Sequence, residues 1–364
     1  MQVTIVGLPG SGKTTVFNAL TGGHAETGGF SGGRAAPNVG VVKVPDERLD
    51  RLAALFAPKK TTHADVTYVD VALAAGATRE GSVNPDVLAL VRNADALLHV
   101  ARAFDDPTAG ASADPWRDVA DLDLEFTVAD LMVIEKRLEK LATQGRHGSQ
   151  AEREAAQREE ELLRRVEPHL SDGKPIRSFG LADDEELLLR GYRFLTQKPV
   201  LVLLNVDEAR LPETDGLEAE GRRKYAEPHT DVAALAAKIE AEIGELPEND
   251  ARAFMDDLGI AEASRGRVIR LTYALLGLFS FFTAGEDECR AWTLRTGSTA
   301  VDAAAAIHTD LARGFIRAQV IGWEELLDAG SMAEARKRGT LRQEGKAYRV
   351  QDGDVLEVLF NVAR

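Results

Sequence analysis

Gly7-Leu8-Pro9-Gly10-Ser11-Gly12-Lys13-Thr14 reads G-x-x-x-x-G-K-[ST], the pattern of a phosphate-binding P-loop. Residues 3–6 before it form a short buried-strand pattern, and residues 15–20 after it read as a helix. That strand–loop–helix context gives the motif its physical sense. The glycines let backbone N–H groups turn inward around a phosphate, and the helix N-terminus adds partial positive charge. Gly7, Leu8, Pro9, Gly10, Ser11, Gly12, Lys13, Thr14 and Thr15 are therefore the candidate nucleotide contacts. Lys13 is one of two catalytic candidates, with Leu73 after the second strand the other; Lys13 is placed to reach the β- and γ-phosphates, and the Thr14 hydroxyl is placed to hold Mg2+. The plainer alternative is a glycine-rich turn without a ligand; the complete pattern in its full context argues against it.

Outward from the loop, strands and helices alternate. Residues 22–33 carry Gly22, Gly23, Gly28, Gly29, Gly32 and Gly33, a composition costly to order, where P-loop GTPases keep switch I. Pro37-Asn38-Val39-Gly40-Val41-Val42-Lys43-Val44-Pro45-Asp46 reads as a strand entered from a turn. Residues 48–56 place Leu49, Leu52, Leu55 and Phe56 at helical spacing. Residues 65–71 read as a second strand with Asp70 at its end, the position from which such folds hold Mg2+ through water. A helix at 87–93 and a strand at 96–101 continue a βαβ alternation.

Residues 124–142 differ. Leu131, Ile134, Leu138 and Leu141 recur at three- and four-residue steps, the seam of a short coiled coil. Residues 145–148 interrupt it, and 151–170 return as a heavily charged helix with Leu162, Leu163, Val166 and Leu170 on one side. The pair predicts an antiparallel helical hairpin, its charged faces read as solvated surface with docking as the alternative. Lys198-Pro199-Val200-Leu201-Val202-Leu203-Leu204 is a continuous apolar strand of the kind covered on both faces in a parallel sheet. It runs into Asn205-Val206-Asp207-Glu208, at the edge where a doubly wound sheet meets its ligand. Residues 231–245 give a helix signal, and 258–278 are mostly helical. Beyond about residue 281, strands at 291–294, 348–350 and 355–362, a helix at 299–311 and a turn at Asp352-Gly353-Asp354 predict a small α+β domain around a single helix.

Composition bounds the function. At 364 residues the chain has room for two or three domains, and 44% hydrophobic with 28% charged residues predicts a soluble globular protein. No apolar run approaches the roughly 18 residues of a membrane span. With a strand opening the sequence, no signal peptide is expected. A single cysteine, Cys289, excludes an intramolecular disulfide and fits a reducing cytoplasm. Net charge is 44 − 59 = −15, which disfavours indiscriminate contact with nucleic acid. Neither DNA nor a membrane is an expected partner, and any RNA contact needs a local basic patch such as Arg336-Lys337-Arg338 with Arg342. The alternative for that cluster is a helix end with dipole-favoured cations.

These landmarks together resemble the YchF / Obg-like ATPase family, TRAFAC-class P-loop NTPases, over nearly the whole chain. The most specific matches are Gly277-Leu278-Phe279-Ser280-Phe281-Phe282-Thr283, Glu286-Asp287-Glu288-Cys289-Arg290-Ala291-Trp292, Ile307-His308-Thr309-Asp310, Gly314-Phe315-Ile316-Arg317-Ala318 and Val350-Gln351-Asp352-Gly353-Asp354-Val355. Pro37-Asn38-Val39-Gly40-Val41-Val42 and Ala237-Lys238-Ile239-Glu240-Ala241-Glu242 match as well. The resemblance implies an α/β fold: a P-loop G-domain over 1–123 and 197–278, an inserted antiparallel helical hairpin over 124–196, and a C-terminal α+β β-grasp (TGS) domain over 279–364. It implies ATP binding, often in preference to GTP, with Mg2+, and association with the ribosome or its RNA through the TGS and helical domains. In this comparison the base-reading motif is Asn205, Val206 and Glu208 of N-x-x-E, where GTPases use N-K-x-D. The stacking lysine is gone and the carboxylate is one methylene longer, which removes guanine discrimination of about 1–3 kcal/mol. The alternative for Glu208 is a solvated loop residue.

The sequence departs from the family in its switches. D-x-x-G is replaced by Asp70-Val71-Ala72-Leu73, and Gly76 comes only later. Arg34 stands where the family offers a threonine three residues before Pro37, and the helix after the second switch reads Val87-Leu88-Ala89-Leu90, without the histidine some relatives carry there. No glutamine near Asp70 orients a water; the family carries an apolar residue there, which Leu73 or Ala74 supplies. These are losses in γ-phosphate sensing and catalysis rather than in binding. They imply slow hydrolysis; the alternatives are a nucleotide-binding scaffold without a working switch and, less well matched, a metabolic P-loop kinase.

Overall fold

The computed structural model describes residues 1–25, 37–71, 85–107, 112–144, 149–258, 260 and 263–361. The expected switch positions Arg34 and Leu73 lie outside them. The chain forms two compact units, Met1–Val41 with Thr67–Leu275, and Val42–Val66 with Leu276–Arg364.

The first unit is built on a six-stranded sheet in the order β2 (Asn38–Lys43), β4 (Asp65–Asp70), β1 (Gln2–Val6), β5 (Ala96–Ala103), β6 (Val200–Val206) and β7 (Thr230–Leu235). From β4 to β7 the neighbours run parallel. Strand β6 is buried along its whole length, as its unbroken apolar run requires. The strand order reverses about β1, which puts the ligand crevice at the carboxyl ends of the strands. Register decides what meets there: Ile5 lies beside Asp70 and Arg102 beside Asn205, so Gly7, Asp70 and Asn205 leave the sheet at one edge. Helices α1 (Lys13–Thr21), α3 (Pro85–Arg92), α7 (Thr214–Lys224), α8 (Ala237–Glu245), α9 (Glu248–Asp257) and α10 (Ser264–Leu275) complete this part.

Strand β7 corrects the helix expected over 231–245. Its alanines favour helix locally. Yet Val232, Ala233, Ala234 and Leu235 are at most 1% exposed and pair in register with β6, so burial in the sheet overrides propensity and the helix starts only at Ala237.

The helical insertion begins inside a single helix, α4 (Pro115–Gln144). Its early residues Val119, Leu122 and Phe126 join the core of the sheet. Its later Ile134, Leu138 and Leu141 join a separate core with Leu162, Leu163, Val166 and Leu170 of α5 (Gln150–Ser171). The seam forms as the periodicity predicts, and Arg137 grips Glu159 across it with two bonds of 2.7 Å. After α6 (Asp183–Leu189) the chain returns to the sheet past Asp130 of α4. That fully buried carboxylate accepts from the amides of Leu195 and Thr196, the Thr196 hydroxyl and Arg92.

The second unit holds a sheet in the order β11 (Arg342–Glu344), β10 (Phe315–Gly322), β12 (Asp354–Phe360), β8 (Leu278–Thr283), β9 (Glu288–Arg295) and β3 (Lys60–Thr62). Strand β3 arrives from far up the chain and pairs parallel with β9, where the Thr62 hydroxyl donates to Glu288 at 2.6 Å. Helix α2 (Glu47–Phe56) belongs here too: Arg48 bonds Asp46 and Asp352 at 2.8 and 2.9 Å, and Arg51 lies over the Trp323 ring. One face is covered by α11 (Ala300–Ile307) and α12 (Thr309–Arg313), and Ala300, Ala303 and Ala304 share one core with Phe281, Phe315, Val320 and Leu356.

Two expectations are corrected here. Residues 348–350 are not a strand: the Tyr348 carbonyl accepts from Ala300 and the Val350 amide donates to Ser298, so the segment ties down the start of α11 through one bridge. The unit also has more than one helix. His308 takes an extended conformation that splits 299–311 into α11 and α12, and α13 (Trp323–Ala329) and α14 (Met332–Arg338) follow, each ended by a left-handed glycine. Among the described residues no helix is long and apolar enough to cross a membrane.

Candidate functional site

The loop from β1 to α1 depends on its glycines. Gly7, Gly10 and Gly12 take φ of +153°, +80° and +88°, which residues with side chains rarely adopt. A Cβ on Gly7 would collide with the Val100 carbonyl oxygen, and one on Gly12 with the Asn205 amide. The loop closes with Ser11 N–H donating to the Leu8 carbonyl at 3.2 Å, and α1 starts with Val16 N–H donating to Gly12 at 2.9 Å. Lys13, Thr14 and Thr15 thus form a helical first turn, where amides without intrahelical partners and the helix dipole favour an anion.

The Lys13 ammonium donates to the carbonyls of Gly7 and Leu8, both at 3.0 Å. The residue is only 9% exposed; burial pulls its pKa down from 10.5 to about 8, against the opposing pull of the Asp70 charge. A cation solvated by neutral carbonyls gains most from an incoming polyphosphate.

Asp70 is 2% exposed. Its Oδ2 accepts from the Thr14 hydroxyl at 2.9 Å and from the Asn38 amide at 3.3 Å, while Oδ1 is buried without a partner among the described residues. A hydroxyl beside a carboxylate with a free oxygen is an oxygen donor set that suits Mg2+.

Asn205 braces the loop. Its Nδ2 donates to the Ser11 carbonyl at 3.0 Å, and its Oδ1 accepts from the Ala237 amide at 3.3 Å, tying the P-loop to the start of α8. Val206 is buried in the sheet core, and Glu208 is exposed at the head of a short 3-10 turn. Asp207 between them accepts from the amides of Asp105 and Arg210. The structure therefore gathers the loop residues 7–15, Asp70 and Asn205 at one edge, turns Val206 inward and leaves Glu208 in solvent, with Leu73 outside the described residues. Sequence reasoning did not single out Asn38, Phe104 or Ala237. Phe104 lies 3.8 Å from the place of a Gly12 Cβ. Asn38 and Ala237 stood within family-matching stretches, 37–42 and 237–242, but no site role attached to either; Asn38 heads an edge strand, and Ala237 lay in the stretch read as one helix.

Such a phosphate cradle, with its buried lysine and strand-end carboxylate at the switch point of a parallel sheet, defines a P-loop NTPase. A family model described as "50S ribosome-binding GTPase" matches residues 2–140, and the YchF-GTPase_C model, described as "Protein of unknown function (DUF933)", matches 278–361. The chain is 39% identical to the ribosome-binding ATPase YchF of Bacillus subtilis and 36% identical to that of Escherichia coli O157:H7, each over 98% of both chains. The solved structure of the Schizosaccharomyces pombe YchF GTPase superposes with a TM-score of 0.86 at 29% identity, covering 99% of this chain and 97% of that one. The chain belongs to the YchF family.

Proposed function

We propose that the chain binds a purine nucleoside triphosphate with Mg2+ in this loop, hydrolyses it slowly, and works in the cytoplasm in association with the ribosome. The observation that carries the binding is the buried Lys13 ammonium, held by two carbonyls at the head of α1. Thr14 and Asp70 would hold Mg2+, which supplies charge neutralisation to the β- and γ-phosphates. The main-chain N–H groups of residues 7–15, all but Pro9, would cradle the phosphates, and Asn205 keeps the loop in that shape. ATP is the preferred ligand and GTP the second candidate, because Glu208 is exposed and stands where a guanine-reading aspartate would be.

The ribosomal part is supported by the relatives from Bacillus subtilis and Escherichia coli, which are ribosome-binding ATPases. The hairpin over 124–196 and the TGS-like region over 279–364 are the proposed contact modules. In the basic cluster of α14, Arg338 and Lys337 pair with Glu334 while Arg336 bonds Gln319. A nucleotide-binding scaffold without turnover is the second reading, favoured by Arg34 and by Leu73 in the broken D-x-x-G. Two measurements test these readings. A working switch shows different thermal stabilisation by ATP and ADP, whereas a scaffold responds equally to both; ribosome co-sedimentation that fails with every nucleotide contradicts the ribosomal part.

A further inference from the structure

We propose that Asn38 is a positioning residue for the Asp70 carboxylate and sets how strongly Mg2+ tightens nucleotide binding; this rests on the reading of the P-loop as a Mg2+–nucleotide site. Asn38 heads β2, 32 residues from Asp70 in sequence, and its Nδ2 donates to Asp70 Oδ2 at 3.3 Å. The Thr14 hydroxyl donates to the same oxygen at 2.9 Å. Two donors on one oxygen fix the rotation of the carboxylate and leave its buried Oδ1 as the oxygen without a partner among the described residues. Residues that orient a metal-side carboxylate in this way control metal affinity without touching the metal.

Strand β2 is held where the amide can do this. A Cβ on Gly40 would lie 2.5 Å from Thr21 Cγ2 and 3.2 Å from Phe17 Cζ, so glycine allows the strand to lie close against α1, the helix that carries Thr14. The side chain at position 38 must donate and must not be anionic. An ionised carboxylate is acceptor-only and would repel Asp70; an amide gives a proton and no charge. Asn38 then gives the strand that follows the first switch its own polar link to the metal side.

The test uses the full-length chain and a fluorescent ATP analogue, with the Kd measured in excess Mg2+ and in EDTA. The ratio of the two is the Mg2+ enhancement. Asn38→Leu keeps the approximate size and removes the donor without adding a charge, Asn38→Ala removes the side chain, and unfolding curves check that both variants fold. The expected result is an enhancement reduced between about 10- and 100-fold in both variants, with the EDTA affinity kept within about twofold. Equal weakening in Mg2+ and EDTA overturns the positioning role in favour of a structural one. An enhancement unchanged from wild type overturns it outright. Wild-type chain that binds no nucleotide in either condition refutes the P-loop reading instead, which separates the two failures.

Discussion

Nucleotide binding to this chain should take up a proton at alkaline pH, and Lys13 sets the amount. In the free protein the ammonium is buried against the Gly7 and Leu8 carbonyls, and burial lowers its pKa to about 8. A bound triphosphate puts several negative charges beside it and returns the pKa to well above that range. The terminal phosphate has its second pKa near 6, so at pH 8 and above the ligand itself exchanges almost no proton. The uptake is then the fraction of Lys13 that is neutral before binding: about 0.5 proton at pH 8 and 0.9 at pH 9 for a pKa of about 8. Titration calorimetry in buffers of different ionisation enthalpy reads this number directly, since the observed heat shifts in proportion to the protons exchanged with buffer. Uptake that stays below 0.1 proton at pH 9 refutes the claim that Lys13 is desolvated in the free site and recharged by the ligand. The same shift has a signature in folding. Because the folded pKa lies below the unfolded value of 10.5, the folded chain binds fewer protons between about pH 8 and 10.5. The destabilisation from Lys13 is therefore full below pH 8 and fades as pH rises, and Lys13→Met should flatten that part of the stability–pH curve.

Three further outcomes are expected. Gly12→Ala forces a side chain into φ +88° and against the Asn205 amide; it should destabilise the fold by about 1–3 kcal/mol in urea unfolding and weaken ATP-analogue binding more than tenfold. Asp130→Ala strips four donors of a fully buried acceptor and should cost about 3–5 kcal/mol by the same assay; a loss under 1 kcal/mol contradicts the role given to that network. Residues 279–364 expressed alone lack β3 and leave an edge of β9 unpaired, so sedimentation should show self-association; a monodisperse monomer contradicts the structural need for β3.

What the sequence disclosed and what it hid follow from the range of the forces involved. The P-loop was legible because its chemistry is contiguous: three glycines, a lysine and a threonine within eight residues dictate one backbone path. The hairpin seam was legible because Leu131, Ile134, Leu138 and Leu141 repeat at the period of the structure they build. Strand β7 was not, because alanine prefers helix and only the neighbouring β6 makes a strand of it. Nor was β3, three residues whose strand character exists only through β9, more than 220 residues later. In the site, Asp70 was marked by its place at a strand end. Its partner Asn38 was not, since their contact crosses two strands, and Asn205 proved to brace the loop through Ser11 and Ala237, bonds that no local pattern encodes.

The most direct measurement is equilibrium binding of ATP and GTP to the purified full-length chain in Mg2+, beside Lys13→Ala. The expected result is saturable binding of at least one of them, weakened more than tenfold by the substitution. No saturable uptake of either nucleotide at millimolar concentration, or equal binding by the Lys13→Ala chain, contradicts the assignment of residues 7–15 as a triphosphate site.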